Sequence, residues 1–226
     1  MKKYIFLVMM AVSVMFCAAG AGKSGKLSDE TLRRYAAQML MVGFKGDSID
    51  ENSDAVRYVR DLHVGGIILF DVDLTGSATI GSRNITSKEQ LAKLTSDLRR
   101  YAGYDLLIAV DQEGGLVCRL KEQYGFQPTV SAEYLGEVNN RDTTYMYGER
   151  IAREMAEVGL NVNLAPLLDV NVNKDCPVIG KLHRSFSSDV QVVTDNAGWF
   201  IDAHHAHGVL CSVKHFPGHG SATADS

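Results

Sequence analysis

Five short apolar runs, recurring at intervals of roughly 40 residues and each closed by polar side chains, constrain the fold of this chain more than any other feature. They are Met39–Phe44, Gly66–Phe70, Leu106–Val110, Val162–Leu167 and Val209–Val213. Each is too short for a helix and too apolar for a loop. Continuous rather than alternating apolarity predicts strands covered on both faces, as in a parallel sheet with helices outside. The segments between them carry helical signals. Ser87 and Gln90 stand at the spacing of a capping box, ahead of Leu91, Leu94, Leu98 and Tyr101 on one helical face. Asp142 to Val158 carries Met146, Ile151, Met155 and Val158 on a stripe and stops at Gly159, while Val190 to His207 stops at Gly208.

Strand, helix, strand repetition gives successive βα units. The polar residues after the runs then become informative: Asp71 and Asp73, Asp111, Asp169 with Asn171 and Asn173, and finally Lys214 with His215. In a (β/α)8 barrel all strand C-termini meet at one mouth, where substrates bind. A doubly wound open sheet also binds ligands at strand C-termini, but no dinucleotide glycine fingerprint follows the first run. The expectation is an α/β chain of the TIM-type (β/α)8 barrel class, ending after about its fifth strand. An open five-stranded sheet leaves a raw edge, so the chain reads as part of a barrel.

The chain has 226 residues, a net charge of −4 and 46% hydrophobic residues, values suited to one globular domain. No basic run supports a nucleic-acid partner. At the N-terminus, Lys2 and Lys3 precede an apolar stretch from Tyr4 to Phe16 and the small residues Cys17 to Gly22. That order predicts a secretory signal over residues 1–21, an exported (periplasmic or extracellular) protein, and no stable membrane insertion once the signal is removed. An uncleaved anchor is the competing reading. Gly22 to Lys26 reads as a linker and residues 22–226 as the partial barrel. Cys118, Cys176 and Cys211 lack the spacing of a disulfide framework or a zinc knot and read as buried small hydrophobes.

Three motifs carry chemistry. Asp111-Gln112-Glu113-Gly114-Gly115, with Arg119 beyond, places carboxylates at a strand end ahead of a tight turn; taken alone, it reads equally well as solvated acids. The stretch from Asn163 through Asp169 to Arg184-Ser185-Phe186 proves little by itself, because a lone arginine is more often a surface ion pair. Lys214-His215-Phe216-Pro217-Gly218-His219-Gly220 mixes donors suited to neutral hydroxyls. Pro217 and the glycines forbid a helix there, so His215 and His219 cannot form the i, i+4 pair of a zinc helix. His204, His205 and His207 lie near a helix end, where the helix dipole accounts for them.

These motifs, together with Ala165 to Asn171 and Val178-Ile179-Gly180, resemble the N-terminal barrel domain of family 3 glycoside hydrolases, and within it the β-N-acetylhexosaminidases that release terminal N-acetylglucosamine. The resemblance implies a carbohydrate substrate; no cofactor and no metal are expected, with a loop metal site, as in a zinc hydrolase on a similar barrel, as a third alternative. It implies that Asp111, Lys214 and His215 hold sugar hydroxyls, with Arg119 and Arg184 as further binding residues. It also implies retaining hydrolysis through a glycosyl-enzyme intermediate. In the hexosaminidase branch a histidine of an Asp-Ser-His loop transfers the proton and the Asp orients it. Asp225 and Ser226 match the first two positions of that loop, making Asp225 the catalytic expectation, with the histidine and the nucleophilic Asp expected beyond Ser226. Leu116 stands where the family often has Arg, and Lys181-Leu182-His183 is a small insertion ahead of Arg184. A truncated sugar-binding fragment without activity is the alternative from a different class, and a β-glucosidase of the same family is a lesser one. The oligomeric state is left open.

Overall fold

A computed structural model describes residues 26–73 and 81–225. The expected signal, most of the linker and Ser226 lie outside the described residues. The chain divides into two units, Met1–Ala36 and Ala37–Ser226. Helix α1, Asp29–Gln38, begins in the first unit, where the Ser28 hydroxyl accepts from the Thr31 N–H at 3.1 Å.

The second unit is built on five parallel strands in sequence order: β1 Met41–Gly43, β2 Gly66–Ile68, β3 Leu107–Val110, β4 Val162–Asn163 and β5 Leu210–Cys211. A parallel neighbour requires a crossover, and the expected helical segments supply it. Helix α2 is the short stretch Asp54–Val56, continued by a wider turn through Asp61. Helix α3, Lys88–Ala102, links β2 to β3. Helices α4, Ala132–Val138, and α5, Arg141–Glu157, precede β4, and α6, Val190–His205, precedes β5. The architecture is therefore α/β with the strand order and parallel sense of a (β/α)8-type sheet, as the apolar runs predicted.

The register decides which residues share a face. Met41, Gly66 and Leu107 are in line, as are Gly43, Ile68, Ala109, Val162 and Leu210. The alternate residues Ile67, Ile108 and Val110 are fully buried, in one cluster with Leu91, Leu94 and Leu98 of α3 and with Ile151 and Met155 of α5. Burial of each such side chain contributes on the order of 2 kcal/mol. The opposite face departs from the expected coverage: Met41, Leu107 and Leu210 are 36%, 38% and 53% exposed. Among the described residues β5 does not pair with β1, so the sheet is not closed and this face is only partly covered.

Local signals were mostly accurate, with three corrections. Ser87 caps α3 by accepting from the Gln90 N–H at 3.1 Å, but the Gln90 side chain reaches one residue further back, accepting from the Thr86 N–H at 2.9 Å. Met146 on α5 is 44% exposed rather than part of the buried stripe, because Thr144, Gly148, Ile151 and Met155 form the packed face. His204 is not a cation at a helix end. It is fully buried, its Nε2 lies 3.0 Å from the Asn163 Nδ2 donor and its Nδ1 2.9 Å from the Phe200 carbonyl. The amide fixes Nε2 as acceptor and Nδ1–H as donor, which is the neutral ring. Burial first of all, then the neighbouring His205 and His207, push its pKa down to about 4, against the opposing pull of the Phe200 hydrogen bond.

The sign of that shift yields a stability prediction. The unfolded chain binds a proton at about 6.5 that folded His204 refuses, so this contribution is complete above pH 6.5 and is lost as pH falls towards 4. By pH 5 the loss is about 2 kcal/mol. Urea titrations at pH 7 and pH 5 check it: His204→Gln is expected to flatten the difference, and an unchanged pH slope in that variant refutes the assignment.

Candidate active site

The ends of β3, β4 and β5 meet in one polar cluster. Lys214, just past β5, places its Nζ 2.6 Å from Asp111 Oδ1 at the end of β3 and 2.7 Å from Glu113 Oε1. Glu113 in turn holds Arg184 through two bonds of 2.8 Å, Nε to Oε2 and Nη2 to Oε1. Such fork-shaped pairing fixes orientation as well as charge. Arg184 also donates from Nη1 to the Val178 carbonyl at 2.7 Å. Burial opposes the arginine's charge, yet the Glu113 hydrogen bonds and charge outweigh it and raise its pKa. Three residues expected as separate binders, Asp111, Lys214 and Arg184, are thus joined through Glu113, a residue inside a recognised motif but not assigned a role.

His215 is the neighbouring element. Its Nδ1 lies 2.7 Å from Asp169 Oδ2, and Asp169 Oδ1 accepts from the His219 N–H at 2.5 Å. Asp169 is 1% exposed. A carboxylate bonded in this way places a proton on Nδ1 and leaves Nε2 as the ring nitrogen not engaged by Asp169. Asp169 is the second residue without an assigned role; its position at a strand end was the available signal.

The loops are shaped by close backbone approaches. Gly114 and Gly115 have φ of +99° and +60°, and a Cβ on Gly114 would lie 2.4 Å from the Val130 carbonyl oxygen. The turn after Asp111 therefore requires glycine. A Cβ on Gly220 would lie 1.8 Å from the Val170 carbonyl oxygen, where the loop after β5 rests on the loop after β4. Asn173 N–H donates to the Gly220 carbonyl at 2.9 Å, and Asn173 Nδ2 to that of Ala222 at 2.9 Å. Asp225 follows three residues later and is exposed. The insertion at Lys181-Leu182-His183 closes into one short turn, Gly180–Leu182, with His183 at φ +55° paired to Glu133. Arg184 N–H donates to the Ile179 carbonyl at 3.1 Å, so the extra residues return Arg184 beside Val178 and into the cluster. Leu116 is 67% exposed.

Arg119 lies apart from these residues, towards the end of β2. Its Nη1 is 3.7 Å from Asp71 Oδ1, and its guanidinium stands 6.0 Å from the Phe70 ring centre. Its backbone is tied to the residue after Asp111, because Gln112 Oε1 accepts from the Arg119 and Leu120 N–H groups at 2.9 Å each.

The cysteines divide. Burial raises the thiol of Cys118, which is buried as expected, and pushes that of Cys211 up to about 12, although Cys211 is only half-buried and departs from the expectation of a buried side chain. Cys176 differs: burial pushes its thiol up, but N–H groups of Val178, Ile179 and Gly180 and the His219 side chain bring it below its ordinary value. Among the described residues no three metal-ligating side chains converge.

Comparison with known proteins supplies the context. Residues 31–226 match the family described as "Glycosyl hydrolase family 3 N terminal domain". The chain belongs to this family. Beta-hexosaminidase of Haemophilus influenzae is 34% identical over 189 residues, covering 83% of this chain and 49% of the relative. Beta-hexosaminidase of Idiomarina loihiensis is 40% identical over 168 residues, covering 72% and 46%. A family 3 beta-N-acetylglucosaminidase from Paenibacillus sp. str. FPU-7 superposes with a TM-score of 0.77 at 34% identity, covering 89% of this chain and 35% of that one. Beta-N-acetylhexosaminidase from Beutenbergia cavernae superposes with a TM-score of 0.73 at 28% identity, covering 88% and 56%. The chain spans about half the length of the curated relatives it matches.

Glu113→Gln tests the cluster directly. It removes the charge that compensates Lys214 and Arg184 and is expected to lower unfolding free energy by roughly 3 kcal/mol in denaturant titration. A loss within 0.5 kcal/mol, on the order of an ordinary surface substitution, contradicts the proposed interdependence.

Proposed function

We propose that the full-length protein is an exported, retaining exo-β-N-acetylhexosaminidase acting on terminal β-linked N-acetylglucosamine. The observation that carries this reading is Lys214 shared between Asp111 and Glu113, beside a His215 oriented by Asp169, at converging strand ends. A pyranose presents vicinal hydroxyls that each donate and accept, and this cluster offers carboxylate acceptors and cationic donors a few ångströms apart. The relatives named beta-hexosaminidase support the choice of sugar.

Under this reading Asp111 and Lys214 grip hydroxyls of the terminal sugar and exchange part of their mutual bond for bonds to it. His215 contributes Nε2 from the same side. Arg184 keeps Glu113, and through it Lys214, in place. Arg119 approaches from the β2 side. Asp225 orients the proton-transferring histidine that family resemblance assigns beyond Ser226, and the nucleophilic Asp is assigned there too. These last two residues would perform the two displacement steps of a retaining mechanism.

The test is release of p-nitrophenol from its N-acetyl-β-glucosaminide by the full-length protein, with product anomers followed by NMR. Turnover with retained configuration is expected, and Lys214→Ala is expected to lower kcat/KM by roughly 100-fold or more, the loss of two charge-assisted contacts. Good turnover of the β-glucoside with none of the N-acetyl substrate overturns the assignment in favour of a glucosidase. Absence of both leaves a sugar-binding protein without activity.

A further inference from the structure

At the end of β2 stands a carboxylate that the proposed chemistry does not use. Asp71 is 0% exposed, a costly place for a charge unless partners surround it. One oxygen is well served, with Lys121 Nζ 2.5 Å from Oδ2. The other is not: Oδ1 faces Arg119 Nη1 at 3.7 Å, beyond hydrogen-bond range, and makes no hydrogen bond among the described residues. Arg119 Nε is likewise buried without a hydrogen bond among them. An acid and a guanidinium thus face each other with one unused acceptor and one unused donor, while the Phe70 ring lies 6.0 Å from that guanidinium.

The acid itself is rigidly held. Phe70 N–H donates to Asn84 Oδ1 at 3.0 Å and the Phe70 carbonyl accepts from Asn84 N–H at 2.9 Å, fixing the backbone just before Asp71. Among the described residues Arg119 hydrogen-bonds through its backbone, to Gln112 Oε1, while its side chain meets Asp71 and Phe70 at longer range. Its long side chain has many rotamers left to restrain. Lys121 pairs with Oδ2, so the single charge of Asp71 is not a naked anion in the interior, and its second oxygen still faces Arg119.

The geometry points to Asp71 as the positioning residue that aims Arg119 at the sugar, a role that rests on the carbohydrate reading above. Asp71 does not touch substrate. It acts through the guanidinium, limiting it to the orientations in which donors on the far side face the mouth, across from Lys214.

A double-variant cycle tests this with N-acetylglucosamine as the probe, titrated calorimetrically into the full-length protein. Asp71→Ala and Arg119→Ala are each expected to raise Kd roughly tenfold. The double variant is expected to match Arg119→Ala within about twofold, because an acid that works through the arginine has nothing left to do without it. Asp71→Glu, which restores the charge, is expected to recover part of the affinity. Should Asp71→Ala fail to fold, Asp71→Asn keeps the volume and replaces it in the cycle. Losses that multiply in the double variant, or an Asp71 variant that binds like wild type, overturn the inference. Lys214→Ala separates this failure from that of the underlying reading. If it weakens binding while Asp71→Ala does not, the positioning role alone falls; if Lys214→Ala binds like wild type, or wild type binds no sugar, both fall.

Discussion

Lys214 sits at the junction of two carboxylates that come from a different strand, and this junction is possible only because β3, β4 and β5 run parallel and in register. Parallel pairing sends every strand out of the sheet at the same edge. Asp111 and Lys214 are separated by 103 residues, yet their side chains lie 2.6 Å apart. A partly buried ammonium needs that compensation, and two partly buried carboxylates need the ammonium in return. The cluster and the sheet register therefore depend on each other: a one-residue slip of a strand would reverse the face on which its side chains stand and separate them.

Around that junction the loops behave as supports. Glu113 extends the charge compensation to Arg184, and Asp169 does the same for His215 while tying down the backbone at His219. Gly114 and Gly220 allow backbones to approach where any side chain would collide. The outcome is an inner pair, Asp111 and Lys214, each with less than a fifth of its side chain exposed, backed by two more deeply buried acids. Preorganisation of this kind means that a sugar meets donors and acceptors already aimed, with little ordering left to lose on binding.

Electrostatic character also differs across the mouth. Three acids and two permanent cations gather at β3 to β5, whereas Asp71 at β2 is flanked by Lys121 and Arg119. The two halves are connected through Gln112, whose backbone follows Asp111 and whose side chain holds the backbone of Arg119. The short turn of Lys181 to His183 shows the same economy of connection, since it lengthens the loop without moving Arg184 out of reach of Glu113.

Much was legible in one dimension because the responsible signals are local. Apolar runs closed by polar residues marked all five strands, Ser87 marked the start of α3, and the order of motifs marked the family. Burial on one face of a helix follows from periodicity, so Leu94 and Leu98 were identifiable as core, whereas the continuous apolarity of the strands marked Ile67 and Ile108 no differently from Leu107 and Leu210, which the open face leaves exposed. What the sequence could not express were partnerships across 40 to 100 residues, since any acid can in principle pair with any base. Only the folded chain assigned Glu113 to Lys214 and Arg184, Asp169 to His215, and Asp71 to Arg119 and Lys121. The same holds for His204, a polar residue near a helix end by its position in the chain, but neutral and buried once Asn163 of β4 supplies its hydrogen-bond partner. Local spacing determined which elements form; the packing of those elements determined which charges could be buried, because desolvation is decided by neighbours distant in the chain.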